Sequence, residues 1–488
     1  MKKFTWLVLA VFLLTLVLSG CGGSKANLED DTSKEVTLKW IMLTFEGSPK
    51  DLAKVTAKAN EYLKDKLNCK IEIMFIPIGD YDQKVTAMTH GGDDYDLVFT
   101  SIWANNYARN AQNGMFMPLD DMLNQYGAEM KKALPEMAWN GTKIKGVNYA
   151  VPTNKDFGAR NAYYFNKNTT VKYPFDYGPG KKLRDWFPLF EKYKADNPGK
   201  VAFRNGTSVE MSECFDYLIE SGIPGAIKLS DKSGKVINQF ESAEYLEAFK
   251  DLREAYLKGY TYKAIPTENN RKDFQTGKLL TCVEPFPPYG DLWREQSYKM
   301  PLLASAVSTT PTCTTGMLMD SMTAINVNSK NPARAMKFIN LMNTDSYLHN
   351  LLVFGIEGEH YTKIGENQIK RTQAGEENYS MPDWEMGNMF INYVMDNEPV
   401  DKWKKFAEFN TTVVPSPALG FVFDPQPVNA EISALKNVME QYYPTIAMGM
   451  VDYQTALPEM NAKLKAAGLD KLLAEVQKQL DEWNKTKK

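Results

Sequence analysis

Histidine is scarce in this chain: His90, His349 and His360 are the three among 488 residues, and they lie far apart in sequence. No H-E-x-x-H, C-x-x-C or G-x-S-x-G spacing occurs, so metalloprotease, dithiol-redox and α/β-hydrolase chemistry lack their parts. Gly178-Pro-Gly-Lys-Lys182 has neither the earlier glycine nor the hydroxyl residue of a phosphate loop, and Asp93, Asp94 and Asp96 lack calcium-loop spacing. Nucleotide binding and an EF-hand are therefore set aside. Glu357-Gly-Glu359-His360 places adjacent residues on a turn, where they do not converge on one point. No metal, cofactor or catalytic residue is assigned. A basic tract is also missing and the formal charge is −3, which argues against nucleic acid as a partner. Beyond the leader, Cys69, Cys214, Cys282 and Cys313 stand at wide, irregular spacings. A chain this long folds without a disulfide framework, and no pairing is assigned.

What is present begins at the N-terminus. Lys2 and Lys3 precede a near-uninterrupted apolar run over residues 6–18, which is too short for the about 20 residues of a membrane helix and reads as a signal peptide. Leu18-Ser19-Gly20-Cys21 follows directly and resembles the bacterial lipobox, in which the Cys21 thiol takes a diacylglycerol and becomes the mature N-terminus. Residues 22–34 are rich in Gly, Ser and charge, which suits a flexible tether, so the folded part is expected to begin near Glu35. Losing residues 1–20 removes Lys2 and Lys3 and takes the charge from −3 to −5. The remainder is long enough for roughly two to four domains or lobes. It holds no later apolar stretch of about 18 residues, so the protein is anchored and does not span.

Hydrophobic periodicity organises the chain. Residues 36–44 predict a strand, Ser48-Pro49 a helix start, residues 52–67 a helix and residues 69–77 a second strand. A helix over 81–90 and a strand over 95–100 follow. This β-α-β-α-β order predicts a parallel sheet, whose ligands lie off the carboxyl ends of the strands, here Thr44-Phe45-Glu46 and Thr100-Ser101-Ile102-Trp103. Helices over 103–113 and 120–137 lead to a hairpin over 143–152, where the chain crosses into a second lobe. There we expect strands at 163–165 and 201–204, helices at 183–194 and 245–257, and a helix-turn-strand over 271–284. A strand at 323–326 and a helix over 332–342, capped by Asn331, return to the first lobe. A Pro-rich stretch over 414–427 and a helical end over 457–483 complete the chain.

Several of these pieces resemble, in order, the solute-binding proteins of carbohydrate ABC importers related to maltose-binding protein: Tyr95-Asp-Leu-Val-Phe-Thr, Gly146-Val-Asn-Tyr-Ala-Val-Pro152, Phe274-Gln-Thr-Gly-Lys-Leu and Asn331-Pro-Ala-Arg-Ala-Met-Lys-Phe-Ile-Asn340. Gly355-Ile-Glu-Gly-Glu-His-Tyr361 and Leu419-Gly-Phe-Val-Phe-Asp424 narrow the likeness to the lipoprotein subgroup of firmicutes. The resemblance implies a two-lobed α/β fold of the type II periplasmic-binding kind, each lobe a mixed sheet flanked by helices. It places residues 35–152 and about 310–362 in lobe 1, and residues 153–309 and about 363–488 in lobe 2 with its C-terminal helices. It further implies a monomer, anchored outside the membrane, that closes on a sugar and docks on an ABC permease.

Sugar recognition needs flat apolar faces for the ring and planar polar groups for the hydroxyls, and aromatics make up 12% of the residues. Placement picks the candidates. Trp103 and Glu46 follow strand ends of the first lobe. Trp139, Asn154, Arg160 and Tyr164 flank the crossover, and Glu284, Phe286 and Trp293 follow the last strand of the second lobe, with Pro285, Pro287 and Pro288 holding the loop. Phe421 and Phe423 are read as packing. A secreted glycan-active enzyme, which needs only a pair of carboxylates, and a non-transporting sensor or adhesion lipoprotein are the alternatives.

Overall fold

The computed structural model describes residues 29–487, apart from residues 159, 205–210, 212, 220–221 and 266–269. The lipobox and Cys21 lie outside the described residues. The first lobe follows the predicted alternation through β1 (Val36–Thr44), α1 (Leu52–Leu67), β2 (Cys69–Pro77), α2 (Ile78–Gly91) and β3 (Leu97–Thr100). After β4 (Ala150–Pro152) the chain leaves to build β5 (Asn161–Asn166), β6 (Thr281–Pro285) and β7 (Leu302–Ala306), and it returns as β8 (Met322–Ile325). The first sheet runs β2-β1-β3-β8-β4. β1 pairs in parallel with β2, from Val36↔Cys69 to Thr44↔Pro77, and with β3 at Trp40↔Leu97, while β8 lies antiparallel to β3 and β4. The second sheet, β6-β5-β7, is antiparallel throughout.

The apolar character of β1 follows from burial on both faces. Side chains alternate across a strand, so Leu38, Trp40 and Met42 meet Val55, Ala59 and Leu63 of α1, whereas Ile41 and Leu43 meet Tyr81 and Val85 of α2. Helices therefore cover the sheet on both sides. The second lobe has its own core around Trp186, Phe190 and Tyr245. Into it pack Leu435 of α3 (Asn429–Ala447), Leu464 of α4 (Tyr453–Ala466) and Val476 of α5 (Leu469–Thr486). Phe421 and Phe423 belong to this core, as packing residues.

Several sequence expectations change. Helix α1 starts at Leu52, with Asp51 rather than Ser48 at the N-cap position, and Asp51 makes no capping bond. The helix expected over 120–137 is broken at Gly127 and Pro135 into three short helices, because proline has no amide to continue the ladder. The strand expected over 201–204 reduces to a single bridge, Val201↔Leu279. Past residue 362, Tyr379, Met381 and Met386 pack in the first core, not the second. Cys69, Cys282 and Cys313 carry free thiols. Burial pushes those of Cys69, Cys282 and Cys313 up to about 12, so at neutral pH they are unreactive packing groups. No helix among the described residues is long and apolar enough to cross a membrane.

The tether expected to run to Lys34 ends earlier. Arg334, whose side chain is 1% exposed, ion-pairs with Asp30 at 2.8 Å, and Lys337 meets the same carboxylate at 2.8 Å. The Arg334 guanidinium also donates to the carbonyls of Leu67 at 2.6 Å, Asn68 at 2.7 Å and Asp31 at 3.1 Å. Removing Asp30 strands a buried charge, so Asp30→Ala is expected to cost about 3 kcal/mol in urea unfolding; a change within ~0.5 kcal/mol would mean that the carbonyls suffice. A second buried carboxyl, Asp216, accepts from Ser416 Oγ, and burial pushes it up to about 6. A group that holds its proton more tightly when folded stabilises fully below the unfolded value of about 3.9, and this contribution is lost as the pH rises to about 6. Asp216→Asn is therefore expected to gain melting temperature over wild type between about pH 4 and about pH 7; an offset that does not change with pH would refute it.

Candidate functional site

Three passages of the chain link the lobes. In the first, the Phe157 amide donates to Asn410 Oδ1 of the third at 2.9 Å, and Asn410 Nδ2 donates to the Lys155 carbonyl at 2.9 Å. Thr312 and Cys313 of the second pair in parallel with Val414 and Pro415. Gly158 sits where all three meet: a Cβ there would lie 2.2 Å from Val413 Cγ1 and 3.2 Å from Pro311 Cβ.

Beside these passages lies a cavity of about 400 Å³, within the range that holds a small ligand. Lobe 1 contributes Met317, Asp320 and Trp384, and lobe 2 contributes Phe286, Trp293 and Arg294. Lys155, Asp156 and Arg160 of the first passage and Lys402 and Phe406 before the third complete the wall.

On the lobe 2 side, the prolines after β6 fix an irregular loop. Tyr164 donates to the Pro285 carbonyl at 3.0 Å and packs edge-on against Phe286. The Phe286 amide donates to the Arg160 carbonyl at 2.9 Å, and Arg160 Nε returns a bond to the Phe286 carbonyl at 3.1 Å. The helix Gly290–Tyr298 carries Trp293 and Arg294. Arg294 lies against the Trp293 ring at 4.8 Å and pairs with Glu284 at 3.2 Å, and Glu284 also accepts from Tyr298 at 2.8 Å.

On the lobe 1 side, Trp103 is 40% exposed beyond β3. Its Nε1 donates to the carbonyl and Oδ1 of Asp320, each at 3.0 Å, and Asp320 Oδ2 holds Lys155 at 2.8 Å. The indole clusters with Phe45, stacked at 6.2 Å, and Trp384 at 5.9 Å, which also meet each other at 6.4 Å. Burial opposes the charge on Lys155, but Asp320 and Asp156 outweigh it and hold the amine above its usual range. Burial pushes the Asp156 carboxyl up, against the pull of Lys155.

The structure thus brings Arg160, Phe286 and Trp293 into the cavity wall. Trp103 joins that wall through Asp320 and Trp384, while Tyr164 and Glu284 stand behind it. Glu46 is exposed at the end of β1, with its amide on Thr44 Oγ1 at 3.2 Å, and lines no part of the cavity. Trp139 is buried in the first core. Asn154 is buried at the crossover, its side chain donating to the Ala133 carbonyl at 3.0 Å. These last two fix the scaffold. Lys155, Asp156, Asp320, Trp384, Lys402 and Phe406 escaped sequence reasoning, although Lys155 and Asp156 directly follow a residue it chose.

Outside the cleft, Asp51, Glu359 and His360 gather closely enough to suggest a cation. However, His360 Nδ1 accepts from the Ile356 amide at 2.9 Å, so the ring proton sits on Nε2 and points at Asp51, 3.2 Å away. Glu359 pairs with Lys54. The lone pair a metal would need is already committed, and the group holds the turn.

Residues 57–352 match the family description "Bacterial extracellular solute-binding protein". The chain belongs to this family. Residues 417–485 of this solute-binding protein also match a domain of unknown function. Over its whole length it is 30% identical to a carbohydrate ABC transporter substrate-binding protein of Streptococcus pneumoniae serotype 4, of which 99% is covered. It is equally similar, at 30% identity, to crystal structures of the N-glycan transport solute binding protein (NgtS) from Streptococcus pneumoniae. The TM-score is 0.86 against one of these, covering 93% of this chain and all of that one. Against the complexes with Man1GlcNAc and Man5GlcNAc it is 0.80 and 0.77. An extracellular solute-binding protein from Bifidobacterium longum subsp. infantis, 16% identical with a TM-score of 0.60 over 92% of this chain and 98% of that one, shares the fold alone. Like its structural neighbours, this solute-binding protein has two lobes, and its own cavity lies beside the crossovers. Gly158→Ala is expected to push the three passages apart at a cost of about 1–3 kcal/mol, read by thermal unfolding; an unchanged melting temperature would mean that Val413 simply turns aside.

Proposed function

We propose that this protein captures an oligosaccharide between its lobes outside the cell and delivers it to the permease of an ABC importer. The observation that carries this is the interlobe cavity, faced by Trp384 with Trp103 behind it from one lobe and by Phe286 and Trp293 from the other. Rings on opposite walls can hold both faces of a sugar, and the guanidiniums and carboxylates between them match its hydroxyls. A ligand bridging the lobes favours the closed arrangement by its extra contacts there, and the permease then meets a closed monomer. Whole-length similarity to a carbohydrate ABC transporter substrate-binding protein supports the same reading. Within it, Cys21 carries the lipid anchor that keeps the protein at the outer face of the membrane, Arg160, Phe286, Trp293 and Trp384 contact the ligand, and Trp103, Tyr164 and Glu284 position those contacts. Of the two cleft carboxylates, Asp320 is tied to both Lys155 and Trp103.

A thermal-shift screen of the purified protein against oligosaccharides, peptides and amino acids tests this. A bound sugar at a hundredfold excess over Kd stabilises by about 2.7 kcal/mol and is expected to be recovered intact. Trp384→Ala is expected to weaken its binding about tenfold, the scale of one aromatic contact. A cleaved glycan would make the protein an enzyme, and stabilisation by peptides alone would overturn the sugar assignment.

A further inference from the structure

Four cationic side chains line the cavity, and three have an anion at contact distance. Lys155 meets Asp320 at 2.8 Å, Arg294 meets Glu284 at 3.2 Å, and Lys402 meets Glu398 at 2.7 Å. Arg160 has no carboxylate within ion-pair distance among the described residues. It is nevertheless held as tightly as the others. Phe286 lies on the guanidinium at 4.9 Å and Phe409 at 5.3 Å, and Nε is occupied by the Phe286 carbonyl. What remains uncommitted is the terminal edge of the fork, with its N–H groups, and Arg160 is one of the residues lining the cavity. Glu213 is the acidic group that acts on Arg160 from a distance. Its Oε1 is taken by the Asn161 amide at 2.7 Å, and burial pushes its carboxyl up toward the neutral form. Burial likewise draws Arg160 below its usual value, yet a guanidinium stays charged at neutral pH. Among the described residues the cleft therefore holds one orientationally fixed cation with no carboxylate at contact distance, and such a group gains most from an ionised partner.

We propose that Arg160 is the anion-recognising residue of the cleft and that the oligosaccharide it takes carries a carboxylate, as a uronate or a related acidic sugar does. This rests on the sugar-binding reading above and narrows it to an acidic class. The geometry favours a carboxylate because a planar fork offers two parallel N–H donors to two oxygens. Lysine would present a single mobile point of charge.

A glycan array bearing uronate, sialate and neutral oligosaccharides is probed with wild type, Arg160→Met and Arg160→Lys, with the melting temperature of each recorded. Wild type is expected to select carboxylate-bearing glycans, which Arg160→Met binds about 30-fold more weakly, the scale of a charge-assisted hydrogen-bonded pair. Arg160→Lys should fall between them, methyl esterification of a bound uronate should reproduce the loss in wild type alone, and any neutral glycan bound should lose far less than the acidic ones. Selection of neutral glycans only, or equal weakening of acidic and neutral ones by Arg160→Met, overturns the proposal and leaves the sugar reading standing. An array on which nothing binds, with amino acids or peptides stabilising the protein instead, overturns both.

Discussion

At Gly158 three passages of one chain approach so closely that any side chain there would occupy the space of Val413, and the geometry of the cleft follows from that contact. The two cores are separate clusters. The passages, with the Lys145–Asp424 ion pair at 3.2 Å outside them, set where they stand. Because the first bears Lys155 through Arg160, the second leads into Met317 and Asp320, and Lys402 and Phe406 precede the third, joining the lobes and furnishing the cavity wall are one structural act. A shift of the hinge therefore moves the polar groups relative to the aromatic walls, as a protein that responds to its ligand requires.

Within that frame the cleft is stiff on each side and joined across the middle. Asp320 holds Lys155 and the Trp103 indole at once, so a first-passage residue, a second-passage residue and a strand-end aromatic are fixed by one carboxylate. On the other wall, Glu284 does the same for Arg294 and Tyr298. Side chains held in advance lose little freedom on binding, which favours affinity.

How much of this was legible follows from the range of the interactions. Every element from β1 to β3 came from local periodicity, since β1 is buried on both faces and α1 and α2 each show one apolar stripe. Trp103 was found because sheet topology puts it off a strand end. Arg160, Phe286 and Trp293 were found because turn-forming prolines and a crossover mark their loops. Trp139 was misplaced because a six-residue helix, Glu136–Gly141, gives no periodicity from which to tell its inner from its outer face. Trp384 and Lys402 were missed because they reach the cleft only by folding against residues far away in sequence, from 64 positions for Trp384 and Asp320 to 247 for Lys402 and Lys155. The early end of the tether was missed for the same reason: nothing near Asp30 announces that Arg334 will need it.

That last pair gives the molecule a mechanical polarity. Arg334 begins a helix of lobe 1, Pro332–Thr344, and grips Asp30. With the lipid proposed at Cys21, nine peptide units separate anchor from grip, a leash of about 30 Å at full stretch. With that anchor, lobe 1 would be the stator, moored near the bilayer, and lobe 2 the part that moves against it on the proposed closure, carrying the loop of Phe286 and the C-terminal helices.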